Sequence, residues 1–166
     1  MNDSMRQDAI SRVGITIAID GPAGSGKSTV SKELALRLGI GYLDTGAMYR
    51  ALTWYALDRG IDLEDTEAVA AAADEMVLRL PSDPSDPHVW VGDTEVAQAI
   101  REPRIALEIK HVSTNLKVRA WMATEQRRRM MEARAQGSGM IAEGRDITTV
   151  VCPDADVRIL LLADQE

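Results

Sequence analysis

The run ITIAIDGPAGSGKSTV, residues 15 to 30, places an apolar stretch, a glycine-rich turn and the opening of a helix in succession. Within it Gly21, Gly26, Lys27 and Ser28 satisfy G-x-x-x-x-G-K-[ST], the spacing of a phosphate-binding loop. A triphosphate needs several convergent donors and no intruding side chain, so glycine recurs. Gly21, Gly24 and Gly26 can take positive φ and bring the backbone close to phosphate oxygens. The free N–H groups of the helix that follows then point at the same anion. In such a loop Lys27 reaches the β and γ phosphates as a mobile charge, and the Ser28 hydroxyl coordinates Mg2+. The segment from Gly21 through Pro22, Ala23, Gly24, Ser25 and Gly26 to Lys27, Ser28 and Thr29 is therefore expected to hold ATP with Mg2+.

Outward from the loop, helices and strands alternate. Val13 to Ile19 is short and rich in β-branched residues, as a buried parallel strand ending at Asp20 should be. From Lys27 to Leu38, apolar Val30, Leu34 and Leu38 recur every fourth residue and Gly39 follows as a stop, which predicts a helix. Ile40 to Leu43 reads as a second strand. Asp44-Thr45-Gly46 reads as a polar turn into a helix that begins with Ala47-Met48-Tyr49-Arg50 and runs to about Arg59. Ligand-binding groups on such sheets gather at the carboxyl ends of strands, so Asp44, Thr45 and Arg50 fall where a second substrate would sit. Taken alone, Asp44 or Thr45 reads equally well as a helix cap, and Arg50 as a solvated surface arginine.

An alanine-rich helix is expected from about Asp65 to Met76. Prolines 81, 84 and 87 then punctuate a polar loop between two short apolar runs, and Gly92-Asp93 marks a further turn, so residues 77 to 101 read as a small antiparallel insert. Pro103 can open a long helical region that ends near Gln136, with a break near Asn115. Its basic run Arg127-Arg128-Arg129 reads as a solvated face. Met140-Ile141-Ala142 forms a brief strand, which places Glu143-Gly144-Arg145-Asp146 at another carboxyl end. Asp156 to Ala163, with VRILLLA, reads as a fourth buried strand. The fold class expected is α/β, a P-loop three-layer core with a parallel sheet, helices on both faces and the small β insert. Residues 1 to 12 are a loose leader, and 13 to 166 the core.

Composition narrows the function. Of 166 residues, 45% are apolar and 27% charged, ordinary values for a globular chain. The net charge of 19 minus 26, or -7, argues against a nucleic-acid surface, so an anionic ligand must be met by locally placed arginines. No apolar run approaches the roughly 18 residues of a membrane span, and the polar start lacks a signal-peptide core. A cytoplasmic protein without membrane or nucleic-acid partners is expected. Cys152, the one cysteine, sits in an apolar run and reads as buried packing. His88 and His111 lack a ligand cluster at metal spacing.

The segments GPAGSGKST at Gly21 to Thr29, LDTGAMYR at Leu43 to Arg50, Ile100-Arg101, Val118-Arg119 and EGRDITTVV at Glu143 to Val151 together resemble bacterial cytidylate kinases. The resemblance covers nearly everything after residue 12, and the second and last motifs are the specific ones. It implies a nucleoside monophosphate kinase core that moves the γ phosphate of ATP onto CMP or dCMP, a step of pyrimidine metabolism. By the same resemblance Thr45, Tyr49, Arg50 and Arg145 look like the clamp on the acceptor phosphate, Arg119 and Asp146 match the base-reading positions, and Lys27 with Arg145 are the charges at the transfer step. The chemistry is consistent. A phosphate monoester with a second pKa near about 6 is mostly dianionic at neutral pH, so it needs no general base. Positioning and charge neutralisation are what the transfer requires, and arginine supplies both through its planar fork. Cytosine needs an acceptor opposite its N4 amine and a donor beside it, the polarity of an Asp and an Arg. Asp20 and Asp44 read either as groups that orient water on Mg2+ or as caps.

The chain departs from the family pattern at Leu116-Lys117, where a proline is usual, at Lys110 in place of a small hydroxyl residue, and at Thr148 and Cys152, which read as packing changes. Relatives continue past VRILLLA with an arginine-rich lid, a strand and a helix. The resemblance thus implies a C-terminally incomplete core, monomeric when complete, that turns over poorly by itself. Two other readings remain open. One is a different small-molecule P-loop kinase, acting on a sugar or shikimate-like acid, with Asp44 as the base for a hydroxyl. The other is a nucleotide-binding switch without transfer.

Overall fold

The computed structural model describes residues 3–6 and 14–163. Most of the leader expected over residues 1 to 12 lies outside them, as do Val13 and residues 164–166. In chain order the elements are β1 (Thr16–Asp20), α1 (Lys27–Leu38), β2 (Gly41–Asp44), α2 (Thr45–Asp58), α3 (Thr66–Glu75), β3 (Leu78–Arg79), β4 (Trp90–Val91), β5 (Thr94–Glu95), a 3-10 turn (Ala99–Arg101), α4 (Pro103–Ser113), α5 (Leu116–Ala135), β6 (Met140–Gly144), a π-helical turn (Ile147–Val151) and β7 (Val157–Leu160). They fall into two compact units, one of Met1–Thr45, Ser82–Asp86 and Glu125–Glu166, the other of Gly46–Pro81 and Pro87–Thr124.

The first unit is built on a four-stranded parallel sheet in the order β2-β6-β1-β7. β1 and β6 are buried along their whole length, which is why both read as near-continuous apolar runs. Register sets the strand ends in line: Asp20 pairs with Gly144, and Asp44 with Glu143. Ile17, Ile19, Ala35, Ile40, Tyr42 and Ile141 form a buried cluster, each large side chain contributing about 1.5–3 kcal/mol relative to exposure. α1 ends as expected, with Gly39 at φ 65° donating to the carbonyls of Ala35 and Leu36. Its buried face is rotated from the expected stripe: Ser31 and Ala35 are buried, whereas Val30 is 44% exposed. Small side chains on the inner face let the helix backbone lie close to the sheet. The outer edge of β2 is covered by the proline-punctuated loop, whose Ser82 carbonyl accepts the Tyr42 N–H at 2.8 Å.

Asp156 ties the start of β1 to the approach of β7. One of its carboxylate oxygens accepts the Thr16 N–H at 2.9 Å, the Thr16 hydroxyl at 3.0 Å and the Arg134 guanidinium at 2.7 Å. The strand that follows is not buried as its apolar sequence suggests. Among the described residues β7 pairs with β1 alone, and Leu160 is 65% and Leu162 77% exposed, because a strand with one partner shows its other edge and part of its faces to solvent. The basic run of α5 is a solvated face only in part: Arg128 is exposed, Arg127 and Arg129 are half-buried, and all three are paired, Arg127 gripping Asp154 bidentately at 2.7 and 2.9 Å and Arg128 and Arg129 both bonding to Glu125.

The second unit holds the antiparallel sheet β3-β4-β5 expected from the turn signals. Trp90 on it is stacked by His88 and lies beneath the Arg79 guanidinium, 4.9 Å from the ring centre. Asn115, at the break between α4 and α5, is buried and caps α5: its side-chain oxygen accepts from Lys117 at 3.1 Å and Val118 at 3.3 Å, and its amide donates to the Thr66 carbonyl. Among the described residues, no helix is long and apolar enough to cross a membrane.

Candidate active site

The loop between β1 and α1 has the backbone its sequence calls for. Gly24 and Gly26 sit at φ 76° and 80°, the left-handed region that glycine enters without strain. A Cβ at either position would meet nothing within 4 Å, so it is the backbone angle and not crowding that calls for glycine there. Gly21 is required for a different reason, since a Cβ there would lie 2.7 Å from Ser25 Oγ and 2.9 Å from the Leu161 carbonyl. Gly26 begins α1 with no side-chain cap and no acidic residue in the first turn, which leaves the helix N–H groups to an anion. These features fit a polyphosphate.

Beneath the loop lies a group that sequence reasoning missed. Glu143, buried at the end of β6, accepts the Ser28 hydroxyl at 2.6 Å through Oε1, while Oε2 is buried without a well-formed hydrogen bond. Burial pushes its carboxyl pKa up, opposed by the Ser28 bond and reinforced by the negative charge of Asp44; Tyr42 and Lys27 act to lower it. The Tyr42 phenol, buried beside it, is likewise raised, first by burial and then by Asp44 and Glu143. A buried acid with one unserved oxygen next to a loop serine fits a hard dication, for which oxygen ligands are preferred. The available signal was position: Glu143 opens the EGRD motif at a strand's carboxyl end.

Asp20 is bonded to the turn that follows β6. Its Oδ1 accepts the Ile147 N–H at 2.9 Å, and Oδ2 accepts the Thr148 N–H at 2.8 Å and hydroxyl at 2.6 Å. Its carboxylate thus caps the start of the π-helical turn, the capping role read for it. Thr148 is accordingly a hydrogen-bonding residue rather than a packing change. Cys152 does pack, fully buried, and burial raises its thiol pKa.

The Asp44-Thr45-Gly46 turn is absent. α2 begins at Thr45, because the buried Thr45 hydroxyl donates to the Glu143 carbonyl at 2.7 Å and fixes the helix start against β6. Gly144 makes that approach possible, since a Cβ there would collide with Thr45 Oγ1. Thr45, Arg145 and Asp146 thus belong to the first unit with the loop, Arg145 exposed and Asp146 half-buried. Tyr49 and Arg50, on α2, and Arg119, in the first turn of α5, belong to the second. The Asn115 cap that sets the α5 start also fixes Arg119, whose N–H bonds to the Asn115 carbonyl at 2.9 Å. Lys110 is exposed and Leu116 is 80% exposed, so both departures lie at the surface.

A strand, a glycine loop and a helix without a side-chain cap on the carboxyl edge of a parallel sheet give the chain the P-loop architecture. Sequence comparison refines the class: a model of the family described as cytidylate kinase matches residues 17–166, and the chain belongs to that family. The cytidylate kinase of Streptomyces avermitilis is 43% identical over 152 residues, covering 92% of this chain and 64% of that protein. That of Streptomyces coelicolor is 45% identical over 152 residues, with the same coverage of 92% and 64%. A bifunctional pantoate ligase/cytidylate kinase of Acaryochloris marina is 44% identical over 167 residues, covering 99% of this chain and 30% of that protein. The chain therefore spans 64% of the length of the Streptomyces relatives it matches.

Proposed function

We propose that this chain carries the nucleotide-binding core of an enzyme that transfers the γ phosphate of ATP to CMP or dCMP, giving CDP or dCDP and ADP. The observation that carries the reading is the pairing of Asp20 with Gly144, reinforced by the Gly21 N–H donating to the Gly144 carbonyl at 3.2 Å. The donor loop and the Arg145-Asp146 segment leave the sheet from bonded neighbours, as a direct transfer between two nucleotides requires.

In this reading Gly21 to Thr29 cradle the donor phosphates, and Lys27 follows the charge on the β and γ groups. Ser28 holds Mg2+, with Glu143 fixing the serine rotamer. When bound, the metal neutralises charge on the phosphate oxygens. Thr45, Tyr49, Arg50 and Arg145 serve the acceptor phosphate, Thr45 chiefly by anchoring the helix that carries the next two. Arg145 also meets charge that develops on the transferred group. Asp146 accepts from the cytosine N4 amine and Arg119 donates to its N3 and O2 side. The acceptor dianion attacks without a base, so Asp44 needs no catalytic role, in contrast to a hydroxyl-directed kinase. A cytoplasmic enzyme, monomeric when complete, agrees with these small-molecule substrates.

The test is calorimetric titration with CMP, UMP and AMP, each with Mg2+ and a non-hydrolysable ATP analogue. Selective binding of CMP supports the reading. Binding of the donor analogue with no preference among the three monophosphates refutes it.

A further inference from the structure

The π-helical turn after β6 is held in an unusual way. Its bonds run from Val151 N–H to the Asp146 carbonyl at 3.2 Å and from Cys152 N–H to the Ile147 carbonyl at 2.8 Å. A turn of this kind leaves the N–H groups at its start without partners inside it, as any helix does. The cap comes not from the preceding residues but from Asp20, 127 positions upstream of Ile147 and immediately before the donor loop. The backbone around Asp20 is itself immobilised: its carbonyl accepts the Leu161 N–H at 2.8 Å, and the Gly21 N–H is bonded to the Gly144 carbonyl. Arg145 and Asp146 are the only residues between the end of β6 at Gly144 and the clasped Ile147.

We propose that Asp20 and Thr148 form a clasp that orients Arg145 and Asp146 toward the acceptor nucleotide, making Thr148 a positioning residue for acceptor binding. The inference rests on the acceptor roles given above to Arg145 and Asp146. Two residues suspended between two fixed points have little backbone freedom, so the directions in which their side chains leave the chain are set in advance and less ordering is required on binding. Of the three bonds to Asp20, the Thr148 hydroxyl makes the shortest, at 2.6 Å, and it is charge-assisted. It is also the one that a side-chain substitution can delete while both amide bonds remain. A residue without a hydroxyl at this position leaves Oδ2 with one donor instead of two and slackens the clasp on the side nearer the rest of the turn.

The experiment compares the parent chain with Thr148→Val, which is isosteric but lacks the hydroxyl, and Thr148→Ser, which retains it. Thr148→Ala, which keeps both amide bonds and removes the hydroxyl without adding volume, is a second deletion in case valine disturbs folding. Each is titrated with the Mg2+-loaded ATP analogue alone and then with CMP. Expected results are CMP binding weakened about tenfold in Thr148→Val and Thr148→Ala, donor-analogue binding within about twofold of the parent, and recovery in Thr148→Ser. Parent-like CMP affinity in both deletions overturns the clasp while leaving the acceptor reading intact. Equal loss of donor and acceptor affinity also overturns it, because the hydroxyl would then be merely structural. A parent that binds the donor analogue but prefers no monophosphate overturns the acceptor reading, and the clasp with it.

Discussion

Substituting Gly144→Ala tests whether the joint between the end of β6, the start of α2 and the π-helical turn is as tight as its contacts require. The added Cβ would collide with Thr45 Oγ1 and lie 2.9 Å from Cδ1 and 3.0 Å from Cγ1 of Ile147, which is fully buried. Carbon atoms in good contact stand about 3.5 Å apart or more, so Ile147 must shift or change rotamer. Overpacking of that kind costs about 1–3 kcal/mol. Displacing the Thr45 hydroxyl also breaks its 2.7 Å bond to the Glu143 carbonyl, about 1 kcal/mol more. The sum, about 2–4 kcal/mol, lowers the midpoint of thermal unfolding by roughly 5–15 °C in a chain of this length. A double-mutant cycle with Thr45→Ala isolates the cause, since that variant removes the atom in the way. The double variant should be about 1 kcal/mol or more less destabilised than the sum of the singles. Additivity within about 0.5 kcal/mol, or a single variant as stable as the parent, refutes the geometry.

Glu143→Gln should stabilise the nucleotide-free protein at neutral pH. A raised carboxyl pKa means that Glu143 stabilises the fold fully below the ordinary carboxylate range and loses that contribution as pH rises through its folded-state value, so the advantage of the variant in urea unfolding should grow as pH rises above the ordinary carboxylate range; a constant difference refutes the burial argument. Asp156→Asn should show the opposite trend, because the bonds from Thr16 and the charge of Arg134 hold the Asp156 carboxyl below its usual pKa. Its loss, about 1 kcal/mol after allowance for solvent screening, should be present at pH 7 and fade as pH falls below about 4. The exposed edge at β7 should make the 166-residue chain self-associate, and Leu160→Lys should reduce this; a monomer at all concentrations in size-exclusion chromatography would count against it.

Local signals were legible where the chemistry is local. Both ends of α1 follow from glycines, at Gly26 and Gly39, and Pro103 opens α4 at its first position, so their boundaries could be read directly. The break at Asn115 was visible too, though not its role as the cap for α5. What sequence could not supply were bonds between distant segments. Asp44-Thr45-Gly46 has turn composition, yet the Glu143 carbonyl, 98 positions from Thr45, captures its hydroxyl and starts a helix there. Asp20 lies beside the phosphate loop and invites a metal role, but its partners come from beyond β6. The apolar β7 was misjudged because composition does not distinguish a central strand from an edge.

The three acidic residues on the carboxyl edge of the sheet show how a protein of net charge -7 can prepare a site for anions. Carboxylates left pointing at the phosphate loop would repel the ligand, at a distance where protein surroundings screen poorly. Asp20 avoids this because its charge is spent on three donors of the turn that follows β6. Glu143 differs, with one oxygen on Ser28 and the other buried without a well-formed bond, so its charge is compensated incompletely. Asp44 adds to the cost by raising the pKa of Glu143 further. An acid kept in that condition lowers the stability of the empty site unless it is protonated or met by positive charge. In the function proposed above, a cation accompanying the nucleoside triphosphate would bring that charge together with the phosphates, and the acidic edge would then favour the metal-bound donor over the free anion.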